Sequence, residues 1–187
     1  QDTFLFSDTI GSNISFGAGD RGNRLEYNGQ YDGQRRRRGY DEQYVRRMAA
    51  IAGADGFISS MPDGYDTVVG ERGVGLSGGQ KQRLSLARAL ADNPSILIMD
   101  DTTSAVDMET EAEIQRHLRD LDEKKTIVTI AHRISSVKDS DLILVLEHGR
   151  IVERGTHDEL VASHGRYWQI YSKQLGVDAG RSQGFEA

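Results

Sequence analysis

The stretch Leu76-Ser77-Gly78-Gly79-Gln80 decides how this chain is interpreted, because a loop there runs directly into an amphipathic helix. Two adjacent glycines let backbone N–H groups approach a ligand closely, and the first turn of a helix favours an anion. An ordinary glycine turn before a helix would use the same letters. The segments on either side must decide between a binding loop and a plain turn.

Composition and charge narrow the class of protein. The 187 residues include 37% hydrophobic and 28% charged residues, which is typical of a globular protein that buries a core. The net charge of −6 argues against broad nucleic-acid binding. The sequence has no cysteine, so disulfides, a thiol nucleophile and Cys-based zinc sites are excluded. No apolar run approaches the ~20 residues that a membrane span needs.

Apolar runs alternate with helix-like segments after the glycine loop. Three runs that are wholly or mostly apolar predict strands covered on both faces, at 96–99, 126–130 and 142–146. Asp107 is predicted to cap the helix between the first two runs, and Thr156 with Glu159 forms a capping box for a later helix. His148-Gly149 turns the third run into a short strand. The alternation predicts an α/β fold with a mainly parallel sheet between helices.

The part before the glycine loop is less regular. Ser7 or Asp8 is predicted to cap a short helix, and 17–39 reads as an exposed loop that is rich in glycine and arginine. Residues 17–22 fit the Gly-x-Gly-x-x-Gly motif of dinucleotide-binding proteins, but the sequence predicts neither the strand before it nor the helix after it that this motif needs. Helical spacing returns at 41–58. One face of that segment is predicted to carry Tyr44, Met48, Ile51 and Ala52.

Polar residues stand where two predicted strands end, and in open α/β sheets ligands bind at that edge. Asp100 and Asp101 follow the first strand, and paired acids there can hold Mg²⁺ beside a nucleotide phosphate. Asp100 would contact the metal and Asp101 would orient the attacking water. His132 follows the second strand and could donate to a γ-phosphate oxygen. A helix-capping acid pair and an ordinary loop histidine are the alternatives.

Four motifs in this order resemble those of the ATP-binding cassette (ABC) nucleotide-binding domain. They are similar to its signature, Walker B strand, D-loop and switch histidine, at Leu76–Gln80, Ile96–Asp101, Ser104–Asp107 and Ala131–Arg133. Gln1 resembles the Q-loop glutamine of the exporter branch. Residues 67–73 resemble the loop that touches the membrane domains in exporters.

The resemblance implies a partial P-loop NTPase (RecA-like) core with a mainly parallel sheet and an ABC helical subdomain. It divides the chain into 1–93 (Q-loop, helical subdomain and signature helix), 94–176 (the rest of the ATPase core) and a tail at 177–187. It implies ATP and Mg²⁺ as cofactors, a second nucleotide-binding domain and upstream transmembrane domains as partners, and the cytoplasmic face of the cell membrane as the location.

The same resemblance assigns roles to individual residues. Asp101 and His132 would be catalytic, and Asp100 and Gln1 would face the metal. Asp107 would lie at the dimer interface. The signature would touch ATP held mainly by the partner, through Leu76, Ser77, Gly78, Gly79 and Gln80.

Two departures from the family pattern affect the expected activity. No Gly-Lys-Ser/Thr occurs, so the P-loop is absent. Because the sequence also opens at Gln1 rather than methionine, we expect part of a longer polypeptide that is inactive alone. Asp101 stands where hydrolytic members usually have glutamate. Because aspartate is one methylene group shorter, its carboxylate is withdrawn by roughly 1.5 Å. A displacement near 1 Å can cost about a hundredfold in rate.

Asp101 therefore predicts the weakened site of a heterodimeric exporter, in which this chain lends its signature to a competent site on its partner. A homodimer with a slower base is the alternative for the assembly. For the function, the alternatives are a non-catalytic, nucleotide-dependent dimerisation module and a soluble ABC ATPase that acts on nucleic acid or ribosomes.

Overall fold

The structure is a computed structural model that describes residues 4–18, 40–70, 75–100, 102, 105–121 and 125–176. The predicted exposed loop at 17–39 lies outside the described residues from 19 onward, but its first two residues contradict the prediction, because Gly17 and Ala18 belong to a 3₁₀ turn and Ala18 is buried. The predicted tail at 177–187 also lies outside the described residues. The chain forms two compact units, Gln1–Val128 and Thr129–Ala187. The boundaries predicted from the sequence at 93 and 176 stay a prediction.

The first unit is mostly helical. Its helices are α1 (Ile10–Ser15), α2 (Glu42–Ile51), α3 (Asp55–Ser59), α4 (Gly78–Ala91) and α5 (Met108–Arg119), with single 3₁₀ turns at Phe16–Ala18 and Gly64–Asp66. Strand β1 (Ile96–Asp100) belongs to this unit, and β2 (Thr126–Ile130) crosses its boundary. The buried side chains that form its core include Leu5, Ile10, Ile14, Val45, Ile58, Leu84 and Ile114.

The second unit is a hairpin packed on two helices. It contains a 3₁₀ turn at Ile134–Ser136, strands β3 (Ile143–Glu147) and β4 (Arg150–Gly155), and helices α6 (His157–Ala162) and α7 (Arg166–Leu175). The two strands are antiparallel and are joined at His148-Gly149, as predicted. Its core consists of Ile134, Ile143, Val145, Leu160 and Tyr167.

Strands β1 and β2 pair in parallel, which agrees with the predicted sheet. The N–H of Thr126 donates to the carbonyl of Ser95 at 3.0 Å, so both strands begin at the same end. The prediction of strands covered on both faces is wrong for the described residues. Ile96 and Ile98 are 60% and 66% exposed, whereas the alternate side chains of β1, Leu97 and Met99, are buried. Successive side chains of a strand point to opposite faces, and the described helices cover one face of β1.

The cap of α1 is Thr9 rather than the predicted Ser7 or Asp8. Thr9 Oγ1 accepts a hydrogen bond from the N–H of Ser12 at 3.0 Å, while Asp8 Oδ1 accepts one from the N–H of Thr9. A cap must directly precede the first helical residue, which is Ile10, to reach the third N–H of the helix. The caps predicted from the sequence therefore lie one or two residues before the observed cap.

The buried face of α2 is wider than the predicted one. Met48 and the following Ala52 are buried as predicted, Ile51 is partly buried against the same core, and Val45 and Ala49 complete the face. Tyr44 lies at its edge, where its hydroxyl donates to the carbonyl of Ala91 at 2.8 Å. A tyrosine needs a partner for its hydroxyl, so it suits the edge of a core better than the centre.

Candidate functional site

The signature loop forms the capped start of α4. Ser77 Oγ accepts a hydrogen bond from the N–H of Gln80 at 3.2 Å, and Gln80 Oε1 accepts one from the N–H of Ser77 at 2.8 Å. This reciprocal capping box satisfies two backbone donors. Gly78 and Gly79 are the first helical residues, and by position their N–H groups have no acceptor inside the helix. The geometry therefore suits them for an anion.

The signature glycines also contact the D-loop segment, which the sequence did not indicate. A Cβ on Gly79 would lie 2.6 Å from the carbonyl oxygen of Ala105, whereas a Cβ on Gly78 would lie 3.6 Å from the Ala105 methyl. Gln82 Oε1 accepts a hydrogen bond from the N–H of Ala105 at 3.1 Å. The absence of a side chain at Gly79 thus permits backbone-to-backbone packing of the two motifs.

Arg83 joins α4 to the segment that precedes α3. Its guanidinium donates to the carbonyl of Gly53 at 2.7 Å and to that of Gly79 at 3.3 Å. The same group lies over the ring of Phe57, 4.8 Å from its centre. Burial lowers the pKa of Arg83 and the charge of Asp107 opposes this change. These contacts fix the first turns of the signature helix.

Asp107 caps α5, as predicted. Its carboxylate accepts hydrogen bonds from the N–H of Thr110 at 2.9 Å and from the hydroxyl of Thr110 at 2.8 Å. The backbone bond from Thr110 is the main reason why the pKa of Asp107 lies below its usual value. The carboxylate itself is exposed. Its predicted role at a dimer interface stays a prediction.

Asp100 is the last residue of β1, where its side chain is exposed at the carboxyl end of a parallel strand. That position and its hard oxygen donors fit a Mg²⁺ ligand. Asp101 and Gln1 lie outside the described residues. Within the described part of the chain, no group of three His, Asp or Glu side chains is placed to hold a metal ion. The metal site stays a prediction to which Asp100 would supply one ligand.

His132 follows β2 in a loop of the second unit, and its side chain is exposed. The carbonyl of His132 accepts a hydrogen bond from Gln174 Nε2 at 2.8 Å, and Gln174 Oε1 accepts one from the N–H of Ile134 at 2.9 Å. Sequence reasoning missed Gln174. Nothing in the local pattern separates it from other exposed polar residues of α7.

The segment after the predicted Q-loop pairs with the predicted membrane-facing loop. The N–H of Ile10 donates to the carbonyl of Thr67 at 3.0 Å, and that of Val69 donates to Asp8 at 2.9 Å. Three exposed aromatic rings stand on this segment and touch in sequence, Phe4 with Phe6 and Phe6 with Phe16. We call these three rings the aromatic patch.

Comparison with known proteins identifies the family. A family model described as "ABC transporter" matches residues 6–104, which is more than half of the chain. The chain therefore belongs to the ABC transporter family, as the four motifs indicated.

Individual relatives agree with this assignment. An uncharacterized ABC transporter ATP-binding protein, YknU of Bacillus subtilis, is 50% identical over 174 residues, covering 93% of this chain and 26% of that protein. An ATP-dependent lipid A-core flippase of Aliivibrio fischeri is 42% identical over 176 residues, covering 94% of this chain and 27% of that protein. The chain thus spans about a quarter of the length of these relatives.

A solved structure of a bacterial Atm1-family ABC exporter with ATP bound resembles the chain with a TM-score of 0.76 and 40% identity, covering 98% of this chain and 28% of that one. The predicted α/β fold with a partial P-loop NTPase core is confirmed by this similarity. No helix within the described residues is long and apolar enough to cross a membrane.

Proposed function

We propose that this chain is part of the ATP-binding subunit of an ABC exporter, which couples ATP binding and hydrolysis at a dimer interface to transport. The observation that carries the proposal is the capped signature loop at the start of α4, packed against the D-loop segment through Gly79. The exporters among its relatives support the transport role. The same exporters support a location of the subunit at the cytoplasmic face of a membrane.

The signature loop would complete a site whose ATP is held mainly by a second nucleotide-binding domain. Gly78 and Gly79 would direct their N–H groups to the γ-phosphate, and the Ser77 hydroxyl can donate while its oxygen accepts from Gln80. Leu76 is half-buried and packs against the core, so it would anchor the loop. Asp107 would face the partner from the exposed start of α5.

The chain's own acids would line the other composite site. Asp100 and Gln1 would hold Mg²⁺, which when bound neutralises phosphate charge. Asp101 would orient the attacking water, and the His132 side chain would donate to a γ-phosphate oxygen. Because Asp101 has the shorter side chain, we propose that this site turns over slowly and that the partner is a different subunit.

The Asp101 proposal can be tested in the complete pair of subunits. Asp101→Asn should leave total ATP turnover nearly unchanged if the partner's site does the work. A collapse of turnover would instead support a homodimer in which Asp101 is the base. Asp101→Glu should raise turnover if the shorter side chain alone weakens the site. Unchanged turnover would mean that the site is also deficient in other residues.

The transmembrane domains of the complete exporter are the second proposed partner. The paired segments around Thr9 and Val68, with the aromatic patch beside them, offer an exposed apolar surface for that contact. The surface is held in place from α4, because Arg88 donates to the carbonyl of Phe4 at 2.6 Å and lies over the ring of Phe6.

Two matched caps test the proposed function directly. Ser77→Ala and Thr156→Ala each remove the serine or threonine of a capping box, at a cost of about 1 kcal/mol in stability. In the complete exporter, we expect Ser77→Ala to lower ATP turnover by more than about tenfold, since it removes a proposed phosphate contact as well. Thr156→Ala should stay within about twofold of wild type.

Equal losses in the two variants would contradict a phosphate-binding role for the signature. Nucleotide-dependent dimers with no turnover in the wild type would favour the non-catalytic dimerisation module instead.

A further inference from the structure

Helix α7 is fixed at its start by a carboxylate from the neighbouring strand. The residue before the helix is Gly165, which has no side chain to cap it. Glu153 of β4 supplies the cap, since Oε1 accepts from the N–H of Arg166 at 2.5 Å and Oε2 accepts from that of Tyr167 at 2.9 Å. A negative charge at this end also suits the helix dipole.

Tyr167 then fixes the rotation of α7 about its axis. Its ring is 2% exposed and packs in the core of the second unit with Ile134 and Leu160. Its hydroxyl forms a hydrogen bond of 2.7 Å with Nδ1 of His157 on α6. Because the helix is held by both backbone and side chain, the direction of its last turn is determined.

Gln174 lies in that last turn and bridges the backbone at 132–134, which we call the histidine loop. One primary amide offers a donor and an acceptor in a fixed relation. Here the donor meets the carbonyl of His132, and the acceptor meets the N–H of Ile134, two residues further on. Since the Ile134 side chain is buried in the same core, the loop is held by apolar packing as well as by the two hydrogen bonds from Gln174.

We propose that Gln174 is a positioning residue that sets the backbone of His132, and through it the direction of the imidazole toward the γ-phosphate. This inference rests on the proposed function of His132. A histidine on an exposed loop otherwise has several orientations open to it, and a donor misplaced by about 1 Å can cost about a hundredfold in rate. Gln174 reduces that freedom without touching the nucleotide.

The test compares two glutamines of α7 in the complete exporter after the partner's competent ATP site has been inactivated, so that the measured kcat is that of the slow site to which His132 belongs. Gln174→Leu removes both bonds to the loop. Gln169→Leu is the matched control, because Gln169 is exposed on the same helix and accepts a bond from Arg166 of its own first turn. We expect Gln174→Leu to lower kcat by about five- to tenfold with KM for ATP within about twofold, and Gln169→Leu to resemble wild type.

A double-mutant cycle separates positioning from general stability. If Gln174 acts through His132, then Gln174→Leu has no further effect on kcat in a His132→Ala background. Losses that multiply in the double variant would overturn the proposal, as would equal activity of the Gln174 and Gln169 variants.

Hydrogen exchange decides the structural step without any need for activity. The amide of Ile134 should exchange about fivefold faster in Gln174→Leu than in wild type or in Gln169→Leu. Unchanged exchange would overturn the positioning role. If the site to which His132 belongs shows no ATP turnover, or if His132→Ala leaves the turnover of that site unchanged, the proposed function of His132 fails, while this measurement still decides whether Gln174 holds the loop.

Discussion

The signature region of the first unit and the histidine loop of the second are both held in place, but by opposite means. At the signature, Gly79 lacks a side chain, and the backbone of Ala105 occupies the space. At the histidine loop, the long side chain of Gln174 reaches out to backbone polar groups. A contact that depends on a glycine is disrupted by any larger residue, because the new side chain clashes with the neighbouring backbone. A contact made by a long polar side chain can be removed by substitution without creating a clash.

The largest effect should come from filling the space at Gly79. Gly79→Ala places a methyl group 2.6 Å from the carbonyl oxygen of Ala105, so backbone must move, at a cost of about 1–3 kcal/mol. Gly78→Ala is the matched control, since its methyl group meets the Ala105 side chain at an ordinary 3.6 Å. Thermal unfolding of the subunit measures the difference. Equal melting temperatures for the two variants would contradict the close backbone contact between Gly79 and Ala105.

The next effect should come from removing the carboxylate that caps α7. Glu153→Ala leaves the N–H groups of Arg166 and Tyr167 without their acceptor, and we expect a loss of about 1–2 kcal/mol. Glu147→Ala is the control, because its ion pair with Arg166 is half-exposed and is worth about 0.5 kcal/mol or less. Chemical denaturation would check both values. A larger loss for the Glu147 variant would show that charge, not capping, holds the helix.

A smaller effect is expected from the single bond between α4 and the D-loop segment. Gln82→Leu removes the acceptor for the N–H of Ala105, at a cost of about 1 kcal/mol, and that amide should exchange faster. Gln82→Glu keeps an acceptor oxygen and should restore protection. Gln43→Leu, at an exposed position of α2, is the control. Slow exchange of Ala105 in the leucine variant would mean that glycine packing alone holds the segment.

The smallest effect concerns pH and separates two helix caps of the first unit. The pKa of Asp107 lies below its usual value of 3.8 in the folded chain, chiefly because of the backbone bond from Thr110. Its stabilising effect is therefore complete above that usual value and is lost as the pH falls through the lower folded value. Asp107→Asn should remove this acid-side dependence from the unfolding free energy.

The hydroxyl cap on α4 provides the contrast. Ser77 does not titrate in this range, so Ser77→Ala should lower stability equally at all acid pH values and leave the slope with pH unchanged. Identical slopes for wild type and Asp107→Asn would contradict the assignment of the shifted carboxyl.

Predictions from the sequence succeeded where a feature depends on residues a few positions apart. The Asp107 cap and the Thr156–Glu159 capping box both join a residue to another three positions on, and both are confirmed. The α1 cap failed by one residue, because Ser7, Asp8 and Thr9 are all suitable caps. Only the packing of Ile10 into the core selects the last of them.

The sequence by itself determined the family, the alternation of strands and helices, and the order of the motifs from Leu76–Gln80 to His132. These follow from local periodicity and from residues that are neighbours in the chain. Only the tertiary structure decided that Gly79 packs on Ala105 and that Gln174 bridges His132 and Ile134. Such contacts join positions 26 to 42 apart. They depend on how whole elements pack, because a hydrogen bond forms only when packing brings donor and acceptor within about 3 Å.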